Sequence, residues 1–442
     1  MRGGNRQVAL IGLELLSIVL LLGIWLHISI SRPLESSRNS RGRQLALGVL
    51  LSSPLWLAVV YLAPLPASFW AGLSGRGLYQ SLLGDAGIPL GSHLPLSLTP
   101  DATAASLLAG IPLVAGFLAA YTARLGQLRM LLMVLVGMAF LQVLLGLIQT
   151  AGGGRSALNF SSEFGGAIGS FANTNHFANY IAMALATYIW LAWSSLASAG
   201  PEPQRHTGGR FTEQHALAFW VAGGIVLVLG ILMSRSRGAL LAGLPAAALA
   251  LGVASVAGGG ARNWRRSLLL LACVLAVALA LVGVGSFVSK FDLGRLASDA
   301  SFRALLASST LNGAREFWPW GAGWGSYGAV FPRFQPVAID GYAEHAHADY
   351  AQMLFEGGIF SLVLAAAFLW LATGRAVLLV RTASRNAELN AEAMAAALCG
   401  LGLLGLLVHS LVEFNMHIPA NAIVGALLAG AYLRPLRAPS SR

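Results

Sequence analysis

Charge is scarce in this chain, and lysine is almost missing. Only 10% of the 442 residues are charged, where a soluble globular domain carries about a quarter. Of 28 basic residues, 27 are arginine and Lys290 is the exception. Cysteine occurs twice, at Cys273 and Cys399, each time inside an apolar run. Two isolated cysteines exclude a disulfide framework or a cysteine-built zinc site and read as small buried hydrophobes. No internal repeat is visible. No Ala-x-Ala-like cleavage site follows the first apolar run, residues 8–30. That run is also too long for a signal-peptide core, so it reads as a retained helix. The net charge of +11 is spread through short loops and not gathered on a soluble domain. This argues against a nucleic-acid partner and fits membrane topology.

What the chain has instead is hydrophobicity, 56% of residues with a mean hydropathy of +0.70. A membrane-spanning helix needs roughly 20 apolar residues. Runs of that kind lie near 8–30, 45–65, 103–122, 128–150, 172–197, 215–233, 238–258, 267–288, 357–380, 393–412 and 418–433. The expected fold class is all-α: a polytopic transmembrane helix bundle of about 11–12 spans with a large, partly helical periplasmic loop. The chain divides into 1–168, N-terminal spans with a loop near 66–102, and 169–288, core spans. Residues 289–356 form the large loop and 357–442 the last spans.

Arginine sets the orientation. Alternate loops from 31–44 onward hold Arg32, Arg38, Arg41 and Arg43, then Arg124 and Arg129, then Arg205 and Arg210. They continue with Arg262, Arg265 and Arg266, with Arg375, Arg381 and Arg385, and with Arg434, Arg437 and Arg442. Few acids offset them, so these loops read as cytoplasmic. The scheme leaves Arg2 and Arg6 outside unless one span is added. Four polar clusters then fall together on the other face: 169–180, 234–238, 344–350 and 409–417.

Each cluster has a chemical and a structural reading. In "SRSRG", Arg235 and Arg237 offer planar forks suited to phosphate oxygens, or they simply snorkel to the interface. In "GSFANTNHFANY", Asn173 fits a helix N-cap. Asn175 and His176 at the same helix mouth could bind sugar hydroxyls or phosphate. The large loop carries Arg303, a further phosphate or sugar contact. Its aromatic stretch "FWPWGAGWGSY" fits either sugar stacking or an interfacial belt.

The stretch "EHAHADYAQ" holds His345, His347 and Asp349. A metal reading needs three ligands in workable geometry, and His409, Glu413 and His417 would have to help supply them. A catalytic base is the second reading, because imidazole accepts a proton near neutral pH. Capping of a helix that begins near Asp349 is the third. His409, Glu413 and Asn415 interrupt an apolar C-terminal region, where ionisable groups are costly and are usually functional or paired.

Taken in order, "FANTNHFANYIAM", "SRSRGALLAG", "WPWGAGWGSYGAVFPRFQP", "HAHADYAQMLFEGG" and "HSLVEFNMHIPANA" resemble the O-antigen ligase and O-antigen polymerase superfamily. These are bacterial inner-membrane glycosyltransferases. The motifs cover residues 169 to about 424. The family commonly has Asn after the second histidine, where this chain has Ala348. The resemblance implies a donor glycan on undecaprenyl diphosphate and an acceptor that is a lipid-linked glycan or lipid A core. Membrane lipids surround the protein, and neither a metal nor another cofactor takes part. It implies His347 as base with His345 second, and Arg237 on the diphosphate with Arg235 and Arg303 beside it. Asn173, Asn175 and His176 would contact the donor, with Asp349, His409 and Glu413 in support. The forms "HAHADYAQ" and "EFNMHIPANA" lean to a polymerase over a ligase. A lipid-linked sugar transporter is the rival class. It would place its ionisable groups at the bilayer midplane and show inverted repeats.

Overall fold

The computed structural model describes residues 7–30, 41–89, 91–152, 158–159, 166–198, 213–257, 272–273, 275–278, 280, 293–386 and 389–436. Eight helices among them are long and apolar enough to cross a membrane. The bent pair Arg41–Leu51 and Ser53–Leu62, angled at 59°, is long and apolar enough only when its two helices are taken together. Pro54 lies in the first turn of the second helix, where a ring without an N–H cannot continue the first one. Helix Pro419–Leu433 has 15 residues, short of a full crossing. The expected span at 267–288 lies outside the described residues, apart from a few between 272 and 280. The chain is an all-α, multi-pass membrane bundle. A short antiparallel pair, Pro64–Pro66 with His93–Pro95, is the only sheet among the described residues. Cys399 is buried as expected, but Cys273 is exposed. Lipid tails solvate an apolar side chain, so burial in protein is not required there.

Helix Thr174–Ser198 is the centre of the bundle. Within its most apolar stretch 67% of the residues are buried, against 6% in the first helix. Small residues let its neighbours approach. A Cβ on Gly243 would lie 2.5 Å from the Ala182 side chain, and one on Gly402 would lie 3.2 Å from Ala186.

One end of the bundle is closed by arginines of the arginine-rich loops. The last carbonyls of a helix have no partner within it. Around helix Pro419–Leu433 they are met from outside, because Arg43 donates to Leu433 O at 2.6 Å and Arg375 to Tyr432 O at 2.6 Å. Arg434 in turn donates to Ala123 O at 2.8 Å.

The opposite end carries a polar layer built on a broken helix. Helix Asp349–Asn386 kinks at Gly358, which has φ 49 and ψ −130. No other residue fits, because a Cβ there would sit 2.2 Å from Pro319 O. The kink frees backbone groups, and the loop 319–323 satisfies them. Ala322 N donates to Phe355 O, Gly323 N to Glu356 O, and Ile359 N to Pro319 O, all between 2.8 and 2.9 Å. Arg76, fully buried, donates to Leu96 O at 2.7 Å and Gly321 O at 2.8 Å. It thereby ties the 66–102 loop to the same segment. Burial pulls its guanidinium down to about 10. The aromatic stretch therefore corrects both expectations held for it. Phe317, Tyr327 and Phe331 pack with Phe355 in a small second core, and Trp320 and Trp324 pack against Tyr61 and Phe360. Trp318 stays exposed at 44%.

Candidate functional site

Two serines shape the arginine turn. Ser234 Oγ accepts from Ser236 N at 3.0 Å, and Ser236 Oγ from Ala239 N at 3.3 Å. They cap the break between helix Glu213–Ser234 and the π-helical turn Ala239–Gly243. Arg235, between them, has φ 57, a strained conformation for a side-chain-bearing residue. Its guanidinium takes no hydrogen bond or ion pair among the described residues. Arg237 pairs with Asp299. Gly238 ends the turn against His409, whose Nε2 would lie 2.1 Å from a Cβ at this position.

Asn173 is where the sequence suggested a cap, and it acts as one: its Oδ1 accepts from Asn175 N at 2.7 Å. The helix it starts, Thr174–Ser198, sends its next polar side chains to the loop 410–418. Asn175 Nδ2 donates to Glu413. His176 Nδ1 lies 2.9 Å from Asn415 Oδ1, and Asn421 Nδ2 donates to His176 O at 3.1 Å.

Glu413 is the meeting point. Its side chain is 1% exposed. Arg303 donates to its Oε1 at 2.6 Å and also to Val412 O. His347 Nδ1 lies 3.2 Å from its Oε2. Burial alone would raise this carboxyl. The His347 hydrogen bond and the charge of Arg303 outweigh it and hold the group at about 2.

A second carboxylate–histidine pair runs the other way between the same two loops. Asp349, fully buried, faces His417 Nδ1 at 2.5 Å and accepts from Met416 N at 2.9 Å. Its own backbone N–H lies 3.0 Å from Ser410 O and 3.2 Å from Glu413 O. Burial would lower the His417 imidazole, but the Asp349 carboxylate raises it overall. Each loop thus supplies a histidine to the other's acid. Phe414 fills the space between them, with His345 stacked at 4.4 Å and His347 and His176 edge-on at 4.8 and 4.5 Å.

His345 differs from His347 in its surroundings. Burial first, and the nearby His417 second, push its imidazole down to about 3. Its Nδ1 lies 3.3 Å from Gln352 Oε1. Gln352 donates to Glu356 at 3.2 Å, and Glu356 accepts from Gly325 N and Tyr327 N at 3.0 and 3.1 Å. His347 stays 29% exposed at φ 48.

Most of the expected residues fall into one contact network, and no contact among the described residues joins Arg235 or Arg237 to it. Asn175, Arg303, His347 and Glu413 join directly. Asn173, His176, His345 and Asp349 support them, and His409 lies beside the arginine turn. Among the described residues no three His, Cys, Asp or Glu side chains are set to hold a metal. Sequence reasoning missed Asp299, Gln352, Glu356 and the central Phe414. For the first three a signal existed: Asp299 with Arg303, and Gln352 with Glu356, are four apart and share a helix face. Nothing in the sequence marks Phe414.

Residues 222–366 match the family model described as O-antigen ligase. The match, over about a third of the chain, supports a likeness of that segment to the O-antigen ligase and polymerase superfamily. That family implies an enzyme of the glycosyltransferase type with lipid-linked glycans as its general substrate class. No curated protein matches the chain. The matched segment carries Arg235, Arg237, Arg303, His345, His347 and Asp349. Asn173, Asn175, His176, His409 and Glu413 come from outside the matched segment and reach it through the fold.

The depressed His345 gives a pH prediction. Its ordinary value is 6.5 and its folded value about 3. Between these the unfolded chain takes up a proton that the folded site refuses, so acid favours unfolding. The wild type should therefore lose thermal stability relative to His345→Phe as pH falls from 6.5 toward 3. Melting curves in detergent check this, and parallel pH profiles for the two proteins would remove the assignment.

Proposed function

We propose that this protein polymerises glycan repeats of an O-antigen or exopolysaccharide, taking each glycan from an undecaprenyl-diphosphate donor. The supporting observation is the convergence of Asn175, Arg303 and His347 on Glu413, at the same end as the arginine turn 235–237. In this reading Arg235 and Arg237 hold the donor diphosphate. Arg237 exchanges Asp299 for phosphate oxygens as the donor arrives. Arg303 lies at the edge of the same space, with two of its nitrogens already engaged.

The acceptor hydroxyl attacks the anomeric carbon of the donor sugar. A new C–O bond forms as the bond to the diphosphate breaks. His347 takes the hydroxyl proton, and the lipid diphosphate leaves with its growing charge held by guanidinium groups. No step requires a metal or a nucleotide sugar. His345 is a poor base, since a conjugate acid near pH 3 gives little driving force for proton uptake. Its contacts suit a support that links the base to the aromatic loop.

The description of the matched family favours a second reading, a ligase that transfers glycan to lipid A core. The forms "HAHADYAQ" and "EFNMHIPANA" favour the polymerase. Product analysis decides between them: a polymerase extends a lipid-linked repeat, and a ligase modifies lipid A core. The protein resides in the bacterial inner membrane with this site in the periplasm, a reading that rests on the arginine-rich loops at the other end. The transporter reading loses ground because the ionisable groups gather at helix ends and not at mid-span.

His347→Ala should lower glycan transfer on the order of 100-fold or more at normal protein levels. Arg235→Gln with Arg237→Gln should mainly raise the donor KM. Transfer assays with purified protein and a lipid-linked donor check both, and full activity in either variant contradicts the assigned role. Val337 is fully exposed in the large loop. In a background lacking Cys273 and Cys399, Val337→Cys should react with an impermeant thiol reagent in intact spheroplasts. Protection there, with labelling only after lysis, would reverse the orientation.

A further inference from the structure

We propose that Glu413 is a positioning residue that fixes the tautomer of His347, binding the Nδ1 proton and leaving Nε2 as the nitrogen that accepts the proton from the acceptor hydroxyl. The inference rests on His347 being the base.

The geometry leaves little choice. An ionised carboxylate only accepts hydrogen bonds. Glu413 has one oxygen filled by Arg303 and Asn175. The other oxygen faces His347 Nδ1 at 3.2 Å. At 1% exposure no bulk water competes for it. A neutral imidazole beside such an oxygen must carry its proton on Nδ1. The lone pair is then on Nε2.

The backbone holds the same arrangement. His347 has φ 48, a conformation that persists only where its surroundings enforce it. Two residues on, Asp349 N sits between Ser410 O and Glu413 O. Asp349 then pairs with His417 from Glu413's own loop. The ring is bounded by Phe414 edge-on at 4.8 Å and Phe302 at 6.5 Å. The loop bearing the acid therefore fixes the position of the base from both sides.

Glu413→Gln is the informative exchange. Its carbonyl oxygen is retained by Arg303 and Asn175, so its NH₂ group turns to His347. Nδ1 must then accept, and the proton moves to Nε2, where it blocks proton uptake. The turnover number should fall about 10²–10⁴-fold, with the donor KM within a few-fold of wild type. Glu413→Asp should recover part of the loss. Nitrogen-15 NMR of histidine-labelled protein in proteoliposomes, with His347→Gln to assign the signal, should find the Nδ1–H tautomer in the wild type. It should find the Nε2–H tautomer in Glu413→Gln.

A wild-type signal with the proton on Nε2 overturns the proposal, even if the variant does not fold. So does turnover in Glu413→Gln within about threefold of wild type, far short of the loss expected for a misprotonated base. If His347→Ala is inactive while Glu413→Gln is active, only the positioning role fails. If both are active, the base assignment itself fails.

Discussion

A buried carboxylate must be matched by donors, and at Glu413 they come from three distant stretches of chain. Asn175 stands at the mouth of the central helix, Arg303 on the helix Leu293–Glu316 of the large loop, and His347 just before the kinked helix. Leaving such a charge without its partners costs roughly 3–5 kcal/mol. The three segments are therefore not independent. The need to satisfy one acid ties the large loop to the bundle at this point.

The same economy of polar groups organises the rest of the molecule. In a bilayer, apolar burial does little to hold helices together, so close small-residue contacts and polar ties take over. The small-residue contacts run down the centre, through Ala182, Gly243, Ala186 and Gly402. The polar ties sit at the two ends. At one end arginines complete the last carbonyls of a short helix. At the other, the kink at Gly358 exposes backbone groups that the aromatic loop completes, and Glu356 clamps that loop through Gly325 and Tyr327. The result is a rigid frame on which two non-glycine residues, Arg235 and His347, are held at positive φ. Strain of this kind gathers where geometry serves function.

Much of this was legible in the sequence. Runs of apolar residues located the crossings because a bilayer demands length and composition and little else. Loop arginines grouped four polar motifs on one face, and the contacts between residues 173–176, 303, 345–349 and 409–417 join three of them. Pairings were not legible. Nothing in "HAHADYAQ" says that Asp349 serves His417 while His347 serves Glu413, because the partners are more than 60 residues apart. The aromatic stretch misled for a different reason. Its composition suits sugar stacking, an interfacial belt or a small core equally, and only the kink in the neighbouring helix decides for the core. The bend before Ser53–Leu62 was visible as Pro54, but hydropathy averaging passed over it.

The central claim is that the arginine turn and the His347–Glu413 pair form one site. It is tested most directly by a cryo-electron microscopy structure of the protein in nanodiscs with a non-hydrolysable polyprenyl-diphosphate sugar. The diphosphate should lie against Arg235 and Arg237, with Arg237 released from Asp299 and the anomeric carbon on the His347 side. Density for the diphosphate at the opposite, arginine-capped end, or at mid-span away from residues 235–237, would contradict the account.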